Sequence, residues 1–155
     1  MKFSWKRLAI NLAIPLAVGG LSALLSGGMG EFRQLNQPPL SPPGWLFPIV
    51  WTLLYLAMGY AAYRVQVSGK SVAQTKKAMT LYGAQLALNF LWSPVFFGLN
   101  WYLAAFFVLV ALWVLIYLTM RKFSLLDETA GDLLIPYILW VTFAGYLNLG
   151  VYLLN

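Results

Sequence analysis

The feature that most constrains this chain is a set of five long hydrophobic stretches, none of which contains a charged side chain. Each has about the 20 residues that a helix needs to cross the hydrocarbon core of a bilayer. Only 9% of all residues are charged, whereas about a quarter of an average soluble domain is charged. The sequence therefore predicts an all-α membrane protein, a five-transmembrane-helix bundle folded as a single domain over residues 1–155. The predicted spans are approximately residues 8–26, 45–63, 78–99, 101–120 and 133–154.

Cysteine and histidine, which carry much of enzyme and metal chemistry, are both absent from the sequence. Their absence excludes disulfides, thiolate nucleophiles, structural zinc and the usual axial ligands of haem. Catalysis by serine–histidine or cysteine–histidine pairs is excluded as well. The sequence thus predicts no metal site and no required cofactor.

The basic residues are distributed asymmetrically about the predicted spans. Only Arg33, beside Glu31, lies in a connection on the outer side. The positive-inside rule then places the N-terminus in the cytoplasm and the C-terminus outside, in a bacterial cell membrane. Nucleic acid is not an expected partner, because no basic stripe with interleaved aromatic residues exists on a polar face. The basic residues on the predicted cytoplasmic side are Lys2, Lys6, Arg7, Arg64, Lys70, Lys76, Lys77, Arg121 and Lys122.

A proline-dense segment, residues 38–45, precedes the second span and reads Pro-Pro-Leu-Ser-Pro-Pro-Gly-Trp. Proline fixes φ and keeps the residue before it extended, so this segment is predicted to be a stiff loop. Pro48 is tolerated near the first turn of the following helix, where a missing N–H costs little. A stiff loop fused to a membrane helix is suited to cover a cavity, here on the outer face.

Small residues recur at helical spacing in two of the predicted spans. Gly19, Ala23 and Gly27 in the first span would let a neighbouring helix, or a ligand, approach the backbone closely. Gly83 and Ala87 offer the third span a similar packing or dimer face. The pattern alone does not distinguish helix packing from the lining of a pocket.

Polar and aromatic residues share one face of the third span. Asn89, Trp92, Ser93 and Phe96 lie at positions i, i+3, i+4 and i+7. Pro94 is expected to bend the helix by freeing a carbonyl one turn earlier. The buried amide of Asn89 requires a partner, which is either another helix or a ligand.

The fifth span is expected to begin near an acidic segment. Asp127 or Asp132 could cap its N-terminus, where free N–H groups meet a carboxylate. Pro136 marks either its first turn or a kink. One face of this helix carries Tyr137, Trp140, Ala144 and Asn148.

The seven tryptophans separate into two groups. Amphipathic rings favour the membrane interface, so the tryptophans at span ends are assigned to anchoring: Trp5, Trp45 and Trp101. Four others lie within spans: Trp51, Trp92, Trp113 and Trp140. If these inner rings converge, they form an aromatic cage for a planar, largely apolar ligand. Ordinary aromatic core packing is the alternative.

Taken together, these residues resemble the translocator protein family, also called tryptophan-rich sensory proteins or peripheral-type benzodiazepine receptors. The resemblance covers nearly the whole chain and rests on three motifs in order. They are PPLSPPGWLFPIVW at 38–51, NFLWSPVFF at 89–97, and PYILW at 136–140 followed by Phe143, Ala144, Leu147 and Asn148.

The resemblance implies a five-helix bundle, commonly dimeric, with a pocket under the loop between the first two helices. Family members bind porphyrins and isoquinoline carboxamide ligands there, and animal members bind cholesterol. The chain ends without the basic residue of the cholesterol-consensus pattern, which disfavours sterol binding. Some bacterial members are linked to light-dependent breakdown of protoporphyrin, which implies Trp51 and Trp140 as the reacting residues. The implied ligand-binding positions are Ala23, Pro48, Ile49, Trp51, Asn89, Phe96, Trp140, Ala144 and Asn148.

The sequence thus favours a receptor-like membrane protein that binds protoporphyrin IX or haem, with lipid and a second copy of the chain as further partners. A light- and oxygen-dependent porphyrin-degrading enzyme is the first alternative, although all four acidic residues lie outside the spans. A porphyrin transporter ranks lower, because no ionisable residue within a span could hold a coupling ion. A scaffold in a stress response is also compatible with the pattern.

Overall fold

A computed structural model describes residues 3–27 and 34–155, which form long helices with short connections and, within those ranges, no strand. Lys2, Glu31 and Arg33, which the orientation argument used, lie outside the described residues. The helices are α1 (Trp5–Ser26), α2 (Leu46–Gln66), α3 (Val72–Ser93), α4 (Tyr102–Leu126), α5 (Glu128–Asp132) and α6 (Ile135–Leu154), and a π-helical segment (Pro94–Gly98) follows α3. The predicted all-helical architecture is confirmed.

Within the described ranges, four helical segments are long and apolar enough to cross a membrane: Trp5–Ser26, Leu46–Gln66, Tyr102–Leu126 and Glu128–Leu154. The helix α3 is equally long, at 22 residues, but it is less hydrophobic. Its first half carries Lys76 and Lys77, and its inner face buries Gln85 and Asn89. Its polar groups therefore weaken the hydropathy signal of a helix that belongs to the same bundle.

The helix ends follow from local chemistry. Ser4 and Ser71 cap α1 and α3 by accepting hydrogen bonds from backbone N–H groups of the first turn. Pro136 lies in the first turn of α6, not at a kink. Of the two predicted caps of the fifth span, Asp127 caps the segment Glu128–Leu154 at its N-terminus by accepting a hydrogen bond from the Ala130 N–H. This segment begins with the short helix α5, which Asp132 ends, and α6 itself begins without a side-chain cap.

The helices pack around the bundle in the order α2, α1, α3, α4, α6. The short connection at Leu99–Trp101 makes α3 and α4 antiparallel neighbours, as the sequence predicts. The α1 and α2 backbones approach so closely at Gly59 that a Cβ there would overlap the carbonyl oxygen of Asn11. The amides of Asn11 and Gln66 exchange two hydrogen bonds of 3.0 and 2.9 Å across the same interface. A glycine and a reciprocal amide pair thus fix α1 against α2.

The loop before α2 is fastened to the C-terminal half of α6. The Tyr146 hydroxyl donates a 2.6 Å hydrogen bond to the Pro39 carbonyl. The Asn155 amide donates to the Asn36 carbonyl at 2.8 Å. The loop that leads into α2 is thus held along α6 from Tyr146 to Asn155.

The ion pair between Arg64 and Asp127, 3.0 Å apart, joins the end of α2 to the junction of α4 and α5. Burial by itself would raise the pKa of Asp127, but hydrogen bonds from Arg64 and the Ala130 amide hold that pKa below its ordinary value. The carboxylate therefore stabilises the fold fully above its ordinary pKa. That contribution disappears as the pH falls through the lowered pKa.

We expect acidification from about pH 5 to pH 2 to lower the free energy of unfolding by about 1 kcal/mol through this pair. Unfolding of the purified protein at a series of pH values measures the loss. The Asp127→Asn variant is the control, because it has no carboxylate to protonate there. An identical acid dependence in the variant would contradict the assignment.

Candidate functional site

A cavity of about 340 Å³ lies between α1, α2 and α3. Its walls are mainly aromatic and aliphatic, and no charged side chain of the described ranges lines it. The neutral polar groups that reach it are hydroxyls and one amide. The lining residues are Leu16, Gly19, Gly20, Ser22, Ala23, Ser26, Phe47, Pro48, Trp51, Thr52, Tyr55, Asn89, Trp92, Ser93 and Phe97.

One wall is a stacked pair of rings on α2. Trp51 and Tyr55 lie one helical turn apart, with ring centroids 5.6 Å apart and planes inclined by 29°. The Tyr55 ring packs onto α1 at Gly19, where a Cβ would overlap the ring. Glycine at this position thus lets the aromatic wall approach the α1 backbone, so the stripe of small residues serves both packing and the cavity.

A chain of hydrogen bonds runs from the cavity into the core. The Tyr55 hydroxyl donates a 2.9 Å hydrogen bond to the side-chain oxygen Oδ1 of Asn89. The side-chain amide nitrogen Nδ2 of Asn89 donates one of 2.6 Å to the Tyr137 hydroxyl. The Tyr137 hydroxyl in turn donates a 2.7 Å hydrogen bond to the side-chain oxygen of Gln85. Because buried polar groups are costly without partners, this chain holds the Asn89 amide in one orientation. Interhelical hydrogen bonding of Asn89, one of its two predicted roles, is therefore observed.

Two serines of α1 form hydrogen bonds with the last turn of α3, before Pro94. Proline cannot donate a hydrogen bond, and the Phe90 carbonyl one turn before Pro94 accepts one of 2.8 Å from the Ser22 hydroxyl. The hydroxyls of Ser26 and Ser93 share a second bond of 2.8 Å. The polar atoms at this end of the cavity thus have protein partners, which leaves an apolar interior.

Asn148 of α6 orients Trp92 from behind the cavity. Its side-chain oxygen Oδ1 accepts a 2.9 Å hydrogen bond from the Trp92 indole N–H. Its side-chain nitrogen Nδ2 donates one of 2.8 Å to the backbone carbonyl of Tyr102. Asn148 is buried and does not line the cavity itself. It is therefore a positioning residue for an aromatic wall.

We expect Asn148→Leu to lower the free energy of unfolding by about 1–3 kcal/mol, because the Trp92 N–H and Tyr102 C=O lose their partner. Ligand affinity should fall with it as the indole loses its fixed orientation. Thermal unfolding and ligand titration measure the two effects. A Trp92→Phe background provides the control, since the added Asn148→Leu change should then cost less than in the native chain.

The structure brings four of the nine sequence-predicted site residues to the cavity: Ala23, Pro48, Trp51 and Asn89. The other five do not line it: Ile49, Phe96, Trp140, Ala144 and Asn148. Ile49 is 51% exposed on the outer surface of α2. Ala144 is buried in the hydrophobic core, and Trp140 packs against Phe47.

The π-helical segment explains the position of Phe96. A face drawn with 3.6 residues per turn continues from Asn89 to Phe96, but the π-helical turn Pro94–Gly98 has more residues per turn. Phe97 therefore faces the cavity, whereas Phe96 is buried against Trp92 and Tyr102 at centroid distances of 5.3 and 4.9 Å. In the sequence, Pro94 marks the point at which the π-helical segment begins and the helical spacing changes.

The inner tryptophans also divide. Trp51 and Trp92 line the cavity, and Trp113 lies on the surface of α4, 38% exposed and bonded to Thr142. The sequence analysis did not identify Tyr55 as a wall of the cavity. It placed Tyr137 on one face of the last helix but did not predict the hydrogen bonds of its hydroxyl.

No group of three carboxylates, the metal ligands that this sequence offers, comes together in the described ranges.

Comparison with known proteins identifies the family of the chain. The profile of the TspO/MBR family matches residues 11–154, nearly the whole chain. The chain belongs to the TspO/MBR family. The motifs that carry the resemblance therefore belong to a TspO-type membrane protein, and with its spanning helices the chain is an integral membrane protein.

Named relatives of this TspO family member come from bacteria and animals. The tryptophan-rich sensory protein of Cereibacter sphaeroides is 42% identical, and the match covers 100% of this chain and 95% of the relative. The tryptophan-rich protein TspO of Chlorobaculum tepidum is 39% identical over 96% of this chain and 95% of its own length. The translocator protein of Bos taurus is 34% identical over 90% and 85%.

Proposed function

We propose that this TspO family member is a membrane receptor that binds a planar, largely apolar tetrapyrrole such as protoporphyrin IX. The observation that carries the proposal is the cavity of about 340 Å³ walled by the Trp51–Tyr55 stack and Trp92. Large flat rings stack on indole and phenol faces, and an apolar interior favours a ligand with little charge in its core. The family resemblance, which implies porphyrin ligands, supports the same conclusion.

Binding rests on stacking, with a hydrogen bond for orientation. Trp51 supplies the face, and the fixed Asn89 amide supplies a polar group for the edge of the ring. Burying roughly 300 Å² of apolar ligand surface at about 25 cal/mol per Å² gives about 7 kcal/mol before ordering costs. This corresponds to micromolar binding. Isoquinoline carboxamides, which are also flat and uncharged, fit the same description.

The membrane topology forms part of the proposal. All five long helices span a bacterial cell membrane, with α3 as the fifth span, the N-terminus in the cytoplasm and the C-terminus outside. The basic residues at α2, α3 and α4 ends support this orientation. A homodimer is proposed through α3, where Gly83 and Ala87 are exposed and would admit a second helix closely.

Quenching of tryptophan emission tests the binding proposal. Protoporphyrin IX should quench the emission saturably at micromolar concentration. Haem should bind about as well, since the sequence offers no histidine or cysteine to ligate iron. A strong preference for haem over the metal-free ring would contradict a site held together by stacking, and the absence of saturable quenching would contradict binding itself.

A second candidate function is light-dependent oxidation of the bound porphyrin by oxygen. Three oxidisable rings in contact favour it: Trp51 stacks on Tyr55 and meets Tyr137 edge-on at 6.2 Å. Excited porphyrin and oxygen supply the oxidant, and nearby indole or phenol rings can relay or quench radicals. Product formation under illumination in Trp51→Phe and Trp140→Phe, relative to the native chain, tests it. Equal fading of the porphyrin in all three would leave a binding protein only.

A further inference from the structure

Two arginines of the bundle are held by tyrosines in the same way. The guanidinium carbon of Arg64 lies 5.7 Å from the centroid of the Tyr60 ring, and its Nη1 donates a 3.2 Å hydrogen bond to the Tyr60 hydroxyl. Arg121 of α4 repeats this arrangement on Tyr117, at 5.9 Å and 3.3 Å. In each pair the residues are four apart on one helix face, and the ring attracts the cation while its hydroxyl fixes one N–H group. Each pair is called a tyrosine–arginine clamp.

The two clamps differ in what the remaining guanidinium N–H groups contact. In the first clamp, Nε of Arg64 donates a 3.0 Å hydrogen bond to the Asp127 carboxylate. In the second, no carboxylate of residues 3–27 and 34–155 lies within ion-pair distance of Arg121. A guanidinium presents its N–H groups as a planar fork that fits the oxygens of a carboxylate or a phosphate. The first clamp therefore shows the kind of group that the second is built to hold, which is an oxyanion.

An aromatic surface continues from the second clamp along α4. The Tyr117 ring stacks on the Trp113 ring, with centroids 5.9 Å apart and planes inclined by only 4°. Both rings are partly exposed on the outer surface of the helix, and neither lines the cavity. From Trp113 to Arg121 the helix rises about 12 Å, which is most of the thickness of one hydrocarbon leaflet, about 15 Å. A positive charge thus stands at the end of an apolar strip as long as much of an acyl chain.

The helix α6 forms a second wall beside this strip. The Trp113 indole N–H donates a 2.9 Å hydrogen bond to the Thr142 hydroxyl, which fixes the level at which the two helices meet. Because α4 and α6 belong to successive spanning segments, they run in opposite directions, and the residues before Thr142 lie toward the Arg121 end. Leu139 and Ile135, about one and two turns before Thr142, are both exposed. The α4–α6 groove, lined by these five residues and Tyr117, is therefore apolar with a cation at one end.

The position of the groove in the membrane indicates its occupant. Arg121 lies in the last two turns of a spanning segment, at the depth where lipid headgroups meet the hydrocarbon core. Lys122, the next residue, is exposed and adds a second positive charge. Anionic headgroups are attracted to basic residues at this depth, and the chains attached to them lie alongside the helix. Both ends of the groove thus match the two parts of one phospholipid.

We propose that the α4–α6 groove is a binding site for one anionic phospholipid. Its phosphate accepts hydrogen bonds from the Arg121 clamp, and an acyl chain lies along Tyr117 and Trp113. In the proposed orientation this lipid belongs to the cytoplasmic leaflet. Phosphatidylglycerol binds better than phosphatidylcholine, because the choline ammonium group offsets the phosphate charge. The site is separate from the cavity and does not depend on the identity of the cavity's ligand.

Native mass spectrometry of the purified protein, titrated with dioleoyl phosphatidylglycerol or dioleoyl phosphatidylcholine, tests the charge preference. The first phosphatidylglycerol should bind about tenfold more tightly than phosphatidylcholine, and Arg121→Gln should remove that difference. Lys122→Gln is the matched control, because it deletes the same charge from the adjacent residue, and its affinity should change by twofold or less. Equal losses in the two variants, or equal affinities of the native chain for both lipids, would overturn the site.

A further variant separates the clamp from the charge alone. Tyr117→Leu retains Arg121 but removes the ring and the hydroxyl that hold it, so the affinity for phosphatidylglycerol should fall about three- to tenfold. Circular dichroism and thermal unfolding verify that the exposed substitutions leave the bundle folded. An unchanged affinity in Tyr117→Leu would reject the clamp as the binding element.

Quenching by phosphatidylglycerol with brominated acyl chains locates the bound lipid. The emission of Trp113 is obtained as the difference between the native chain and Trp113→Phe. Brominated phosphatidylglycerol should quench this component saturably, and Arg121→Gln should require about ten times more lipid for the same quenching. Saturable quenching that persists unchanged in Trp113→Phe would place the lipid elsewhere and would overturn the assignment to the α4–α6 groove.

Discussion

Replacing Gly59 with alanine is expected to lower the free energy of unfolding by about 2–3 kcal/mol, because the new methyl group has no space. A Cβ at Gly59 would overlap the carbonyl oxygen of Asn11, and the next nearest atom is the Leu12 Cα at 3.0 Å. Both are backbone atoms and cannot rotate away. The helices α1 and α2 would have to separate, which would also weaken the Asn11–Gln66 amide pair. Thermal unfolding in one detergent or lipid system measures the loss.

Gly83→Ala is the matched control. A Cβ at Gly83 has no atom within 4 Å, and the residue is likewise helical. The gain in helix propensity, up to about 1 kcal/mol, should leave the variant as stable as the native chain or slightly more stable. Equal losses of stability for the two substitutions would contradict close packing at Gly59. Since Gly83 also belongs to the proposed dimer face, both variants should be compared at the same oligomeric state.

Replacing Trp51 with alanine is expected to weaken ligand binding by about 30- to 150-fold, which corresponds to about 2–3 kcal/mol. The indole forms the cavity wall, stacks on Tyr55 and contacts Tyr137. Its removal deletes the stacking surface and leaves Tyr55 free to tilt. Titration with protoporphyrin IX, followed by absorbance of the porphyrin rather than by tryptophan emission, measures the change without loss of signal.

Two variants make this result specific. Trp113→Ala removes an indole of equal size from the outer surface of α4, where it stacks on Tyr117, and should leave affinity unchanged. Trp51→Phe keeps an aromatic face and should retain more affinity than Trp51→Ala. Similar losses in Trp51→Ala and Trp113→Ala would indicate a general loss of folding and would remove the support for the cavity as the binding site.

Local sequence chemistry determined the helical elements. Hydrophobic runs require internally bonded helices, serines and prolines fix several of their ends, and the three-residue link at Leu99–Trp101 makes α3 and α4 neighbours. Spacing alone left Asn89 open between helix packing and ligand contact, and it was the family resemblance that implied Trp51 and Asn89 as ligand-binding positions; both line the cavity. The sequence analysis did not foresee that the polar inner face of α3 would weaken its hydropathy, nor that the acidic segment would form a separate helix.

Only the tertiary structure decided which faces meet. The register of Phe96 and Phe97 depends on a π-helical turn, whose extra residue per turn is not encoded by helical periodicity. The contact of the Trp140 ring with Phe47 depends on how α6 is positioned relative to α2.

The proposed recognition of a flat ligand depends on one physical condition: a rigid indole wall beside neutral, internally bonded polar groups. Sequence could supply the residues for that condition, because their chemistry is local. Their convergence is a property of long-range packing, in which each helix position is set by neighbours distant along the chain.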